Sequence, residues 1–112
     1  MKSKGFVESA SLTAGTEAAL STTIKVPSGV SRLVGAYIIS EGGGLARLSA
    51  DSMPADVYVP VSGYPIGTSN GQLQPVFVPL DSPVDPNDDI TIYRTAAIDT
   101  SSKYETVILF FE

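Results

Sequence analysis

Twelve carboxylates, with no histidine and no cysteine, bound the chemistry open to this chain of 112 residues. Ser-His-Asp and Cys-His catalysis are impossible without an imidazole, and the common zinc sites lose their usual ligands. Carboxylate pairs remain, and a glycosidase needs only two of them at a set separation. Asp85, Asp88 and Asp89 crowd around Asn87. They form a candidate oxygen ligand set for a hard cation such as calcium, with Asp81 or Asp99 as further donors. The spacing is not that of an EF-hand loop, which needs a central Gly and a terminal Glu. The cluster also sits on a turn beside prolines, where Asp and Asn belong because they bond to nearby backbone. A structural turn is therefore expected, with bound calcium as the metal alternative, no other cofactor and no enzymatic role.

Five tyrosines (Tyr37, Tyr58, Tyr64, Tyr93 and Tyr104) without a tryptophan suit either a sugar groove or a core or interface, since each ring has an apolar body and a polar tip. Glu41-Gly42-Gly43-Gly44 lacks the Gly-Lys-Ser/Thr ending and following helix of a phosphate cradle, so it reads as a hairpin turn. The formal net charge of −5 is spread along the chain, which disfavours a phosphate-binding surface and hence nucleic acid. No run approaches the ~18 apolar residues that span a bilayer. Lys2 and Lys4 are not followed by an apolar stretch of signal-peptide length, so no secretory signal is expected. Residues 1–4 read as a short N-terminal arm and 5–112 as a single domain.

The elements that must position these residues are all strands, because no stretch of a dozen residues carries a 3.6-residue period. Gly5 to Leu12 reads as a first strand. Ala18 to Val26 alternates most cleanly and is closed by Pro27-Ser28-Gly29. Arg32 to Ser40 is apolar on both parities, Leu33, Tyr37 and Ile39 against Val34, Ala36 and Ile38. Leu45 to Ala50 is a short fourth strand. Pro60 within Asp56 to Val61, and Pro75 and Pro79 within Gln72 to Leu80, send those two strands to sheet edges, since proline cannot donate to a ladder on both sides. Asp88 to Thr95 alternates Ile90 and Ile92 with Thr91, Tyr93 and Thr95. Tyr104 to Phe111 again has apolar groups on both parities, so it and Arg32 to Ser40 should be central strands covered on two sides. Ser62 to Gly71, with Tyr64 and Ile66, is a surface loop with contact potential.

Eight strands separated by turns are the signature of a sandwich or barrel, and an all-β, eight-stranded antiparallel β-sandwich is expected. The order of two-sided and proline-bearing strands resembles the single jelly roll of virus capsid and virion-surface subunits, whose sheets hold strands one, eight, three, six and two, seven, four, five. An immunoglobulin-like sandwich is the alternative. The resemblance implies a structural subunit of a virion or similar shell, made in the host cytoplasm, with copies of itself or other shell proteins as partners. The apolar outer side of strands three and eight would be its contact surface: Val34, Ala36 and Ile38 with Ile108 and Phe110, or the opposite parities, joined by Tyr64 and Ile66. The bland counterpart is a loop of the same chain folding over that face. A carbohydrate-binding module using Tyr58, Tyr64 and the Ser62 to Gly71 loop, or a subunit of an extracellular filament, are the other functional expectations.

Overall fold

Leu33, Ala36 and Ile38 meet Val107, Leu109 and Phe111 across two neighbouring strands, and around them the core is built. The structure, a computed structural model, describes residues 1–62 and 76–112. Among these residues there are nine strands and no helix: β1 (Lys2–Ala10), β2 (Glu17–Ala19), β3 (Ile24–Lys25), β4 (Arg32–Ser40), β5 (Leu45–Ser49), β6 (Val57–Pro60), β7 (Val78–Pro83), β8 (Asp89–Thr95) and β9 (Lys103–Phe111). One sheet has the order β1-β9-β4-β7 and the other β2-β8-β5-β6, with β3 also on β8. All pairings between these strands are antiparallel. The chain is an antiparallel β-sandwich. With β2 and β3 counted as one interrupted strand, the sheets read one, eight, three, six and two, seven, four, five.

The two strands with apolar residues on both faces, β4 and β9, are the inner pair of their sheet, and the proline-bearing β6 and β7 are edges. β4 has the bounds its sequence pattern gives; of the strand expected at Gln72 to Leu80, Gln72 to Pro75 lie outside the described residues, Val76 and Phe77 belong to no strand, and β7 runs Val78–Pro83 with Pro79 and Pro83 on the sheet's rim. β1 starts at Lys2, so the residues set apart as an arm pair with β9, Lys2 opposite Phe111 and Lys4 opposite Leu109. The Gly-rich stretch after Ser40 joins β4 to β5, which belong to different sheets; it is a corner between layers and not a hairpin. Gly44 has a φ of +87°, and a Cβ there would stand 2.1 Å from the Thr95 carbonyl oxygen, so the corner closes only around glycine.

The run expected as one strand from Ala18 to Val26 is broken. Glu17 and Ala19 pair with Thr95 and Tyr93, but Ile24 and Lys25 pair with Ile90 and Asp89, a shift of two residues. The cause is a carboxylate from the other sheet: the amides of Ser21 and Thr22 donate to Glu8 Oε2 (2.9 Å) and Oε1 (2.8 Å) instead of to β8. Burial alone would raise the Glu8 pKa, but the bonds from Thr22 and Ser21 outweigh it and hold the carboxyl below its ordinary value. Leu20, Ile24 and Val26 still reach the core, while Ala18 and Thr22 on the same parity are exposed.

Candidate functional site

The two sheets differ in what they turn outward. On the β1-β9-β4-β7 sheet the outer side is apolar and aromatic. Tyr37, Phe77 and Phe110 form a closed trio of edge-to-face contacts, with centroids 5.4 Å (Tyr37–Phe77), 5.8 Å (Tyr37–Phe110) and 5.4 Å (Phe77–Phe110) apart. Phe77 reaches this position because β4 has no side chain at Gly35: a Cβ there would lie 2.1 Å from the ring. Ile108 stands opposite Tyr37, and Thr106 lies between Ile39 and Val7. Val7, on the same side, is 62% exposed.

This arrangement corrects the set of residues expected on that face. The register slips between Leu33 and Gly35, so one extra residue, Val34, is accommodated in β4. A one-residue slip exchanges inside for outside. Ala36 and Ile38 are therefore wholly buried in the core, while Tyr37 and Ile39 take the outer side with Ile108 and Phe110. Val34 sits half-buried at the bulge. Tyr64 and Ile66 lie outside the described residues. At one end of the face is a depression of about 370 Å³ lined by Ile39, Glu41, Lys103, Tyr104 and Thr106 among others, with Lys103 and Glu41 paired at 3.7 Å.

The outer side of the other sheet is polar and internally paired. Ala19, Tyr93, Arg47 and Tyr58 form one row across four strands. The Arg47 guanidinium lies 4.0 Å from the centre of the Tyr93 ring, a cation–π stack. Its Nη2 and Nε donate to Glu17 (2.7 and 3.1 Å) and its Nη1 to Asp56 (2.7 Å). Bonds from Arg47 hold both carboxyls below their ordinary pKa. The lowered values mean that this network contributes stability above the unfolded carboxylate range and loses it as pH falls through the folded values. Arg47→Gln should therefore lower the urea midpoint at pH 7 and have less effect at acid pH, a convergence that parallel melts would reveal. A constant difference at every pH would show that stacking on Tyr93, not charge, is what Arg47 supplies. Tyr58, expected in a sugar groove with Tyr64, is 57% exposed on this face.

At the turn between β7 and β8, Asp85, Asp88 and Asp89 do not converge as a ligand set. The Asp88 carboxylate accepts from the amides of Ser52 (2.8 Å) and Asp89 (2.9 Å). The Ser52 hydroxyl is the main cause that holds its pKa down. The amide of Asp85 donates to Ser52 Oγ (3.0 Å), and Asp89 points to Lys25 at 3.4 Å. Among the described residues no group of three His, Cys, Asp or Glu side chains is placed to hold a metal ion, so the calcium expectation has no site here. The acids brace the turn onto the loop after β5, and Asn87 adopts the left-handed φ of +67° that the turn requires.

Sequence reasoning missed a charged pair in the core. Arg94 of β8 and Glu105 of β9 are each 0% exposed and face one another between the sheets, Nε to Oε1 at 2.5 Å. The Ser40 hydroxyl donates to the second Glu105 oxygen, and Arg94 Nη1 and Nη2 donate to the carbonyls of Leu45 (2.7 Å) and Gly43 (2.6 Å). The pair thus joins both sheets to the Gly-rich corner. No buried side-chain polar atom among the described residues lacks a partner. The signal was in the parity: Arg94 alternates in step with Ile90 and Ile92, and Glu105 with Val107, Leu109 and Phe111.

In comparisons with known proteins the chain matches no family model, no curated protein and no solved structure.

Proposed function

We propose that this chain is a non-catalytic structural subunit of a virion or a similar protein shell, docking through the outer side of the β1-β9-β4-β7 sheet. The observation that carries the proposal is the difference between the two outer sides. One is neutralised by its own ion pairs around Arg47, while the other carries Tyr37, Ile39, Phe77, Ile108 and Phe110 with Val7 exposed beside them. Apolar surface gathered on one side of a sheet is what a subunit interface uses and what a free monomer avoids. The strand order, one-eight-three-six against two-seven-four-five, is the one the jelly-roll resemblance implies, which supports the same reading.

Light scattering over a dilution series tests it. A stable multimer or large particle is expected from the unaltered chain, and Ile108→Asp or Phe110→Asp should abolish it, because a carboxylate buried in an apolar contact has no partner. Both positions are half-buried, so circular dichroism must show that the variants keep their sheet signal. A clean monomer at tens of micromolar, unaffected by either substitution, would remove self-assembly through this face and leave docking onto a different shell protein as its use.

A further inference from the structure

The β1 strand is a long edge. Its nine residues pair with β9 throughout, and among the described residues no backbone group of Lys2–Ala10 is bonded to any other segment. An unpaired row of amides and carbonyls is a template for another strand unless charge or shape forbids it. Two lysines lie on this edge. Lys2 is engaged within its own chain, donating from Nζ to the Ser28 carbonyl at 2.6 Å. Lys4 is exposed and has no ion-pair partner among the described residues.

We infer that a second copy of this chain pairs with β1 edge to edge, antiparallel about a two-fold axis through Phe6, making one continuous eight-stranded sheet from two four-stranded ones. The register follows from the residues. An isologous antiparallel pair places each residue opposite one whose number makes a constant sum with its own, and only a centre at Phe6 overlaps all nine residues. In that register Lys4 faces Glu8 of the other copy, twice by symmetry. Glu8 is held as a charged carboxylate by the amides and hydroxyls of Ser21 and Thr22, and Lys4 meets that charge from the strand edge. Val7 comes opposite Gly5, the one position of the strand without a side chain. Gly5 lies beside Ile108, so the valine that is now exposed gains an apolar seat. Centred one residue away, at Gly5 or Val7, pairing sets Lys4 against Phe6 or Ala10 and leaves it without a carboxylate. Lys4 therefore deters the neighbouring registers and favours this one.

This contact uses the edge of the sheet and not its outer side, so it stands apart from the shell proposal. The chain has no native cysteine, which makes cross-linking clean. Ser3 and Ser9 are exposed and come opposite each other in this register. Chains carrying Ser3→Cys, mixed with chains carrying Ser9→Cys under oxidised glutathione, should give the mixed disulfide in large excess over either like pair. Lys4→Glu should weaken the dimer about tenfold or more, seen by analytical ultracentrifugation, because two attractive pairs become repulsive. Equal yields of like and mixed disulfides, no cross-link, or an unchanged dimer in Lys4→Glu would overturn the inference. Large particles that persist without the mixed disulfide would overturn edge pairing alone. A cross-linked dimer that builds nothing larger would keep it and count against the shell.

Discussion

Glu105→Ala should cost the fold about 3–5 kcal/mol, the range for removing one partner of a buried ion pair. A domain of this kind has roughly 5–15 kcal/mol in total, so the variant should be largely unfolded in modest urea or on mild warming. The reason is what remains behind. The Arg94 guanidinium is fully enclosed between the sheets, and although its Nη groups keep the carbonyls of Gly43 and Leu45, its charge would have no counterion. The Ser40 hydroxyl would lose its acceptor in the same step. Removing both charges together should be much gentler, since replacing a buried pair with apolar residues is often neutral or stabilising. Arg94→Met combined with Glu105→Leu is therefore expected to recover most of the loss, and a double-mutant cycle from urea melts measures the difference. A loss below about 1 kcal/mol in Glu105→Ala would mean that water reaches Arg94 and that the pair is not sealed as described.

Phe111→Ala should cost a similar amount, about 3–5 kcal/mol, through lost burial and the cavity left behind. Phe111 is fully buried and lies opposite Leu33 on one side and Lys2 on the other. Its neighbour gives the control. Phe110 points to the outer side, where it touches Tyr37 and Phe77, and Phe110→Ala should cost only about 1–2 kcal/mol in the isolated chain. The ratio tests the register of β9 directly, because a slip by one residue would exchange the two values. Equal costs would be incompatible with one face in and the other out.

What was legible in the sequence was mostly what period and proline control. The bounds of β4, the central place of β4 and β9, and the edge positions of β6 and β7 follow from apolar residues on both parities and from a ring that cannot donate. What was not legible depended on contacts between distant segments. The break between β2 and β3 comes from a Glu8 carboxylate that captures two amides from across the sandwich, and the alternation of Leu20, Ile24 and Val26 gives no hint of it. The bulge at Val34 likewise leaves the apolar pattern of β4 unchanged while it reverses which of Ala36 and Tyr37 faces the core. The turn role of the aspartates between β7 and β8 is accessible from their neighbours, but the partners that take up the Asp88 and Asp89 carboxylates, the Ser52 amide and Lys25, come from distant segments that the local pattern does not reveal.

The strand order also has a temporal consequence. Lys2 lies opposite Phe111, and each sheet takes strands from both halves of the chain, so neither half can complete a sheet by itself. Topologies dominated by such distant pairings fold in milliseconds to seconds, because loop-closure entropy is spent before the contacts that repay it can form. During that interval the apolar run from Val107 to Phe111 has neither neighbour in place and is free to stick to other chains. Yield on refolding should therefore depend on protein concentration more steeply than native stability does, and dilution, not stabilisation, is the lever that would improve it.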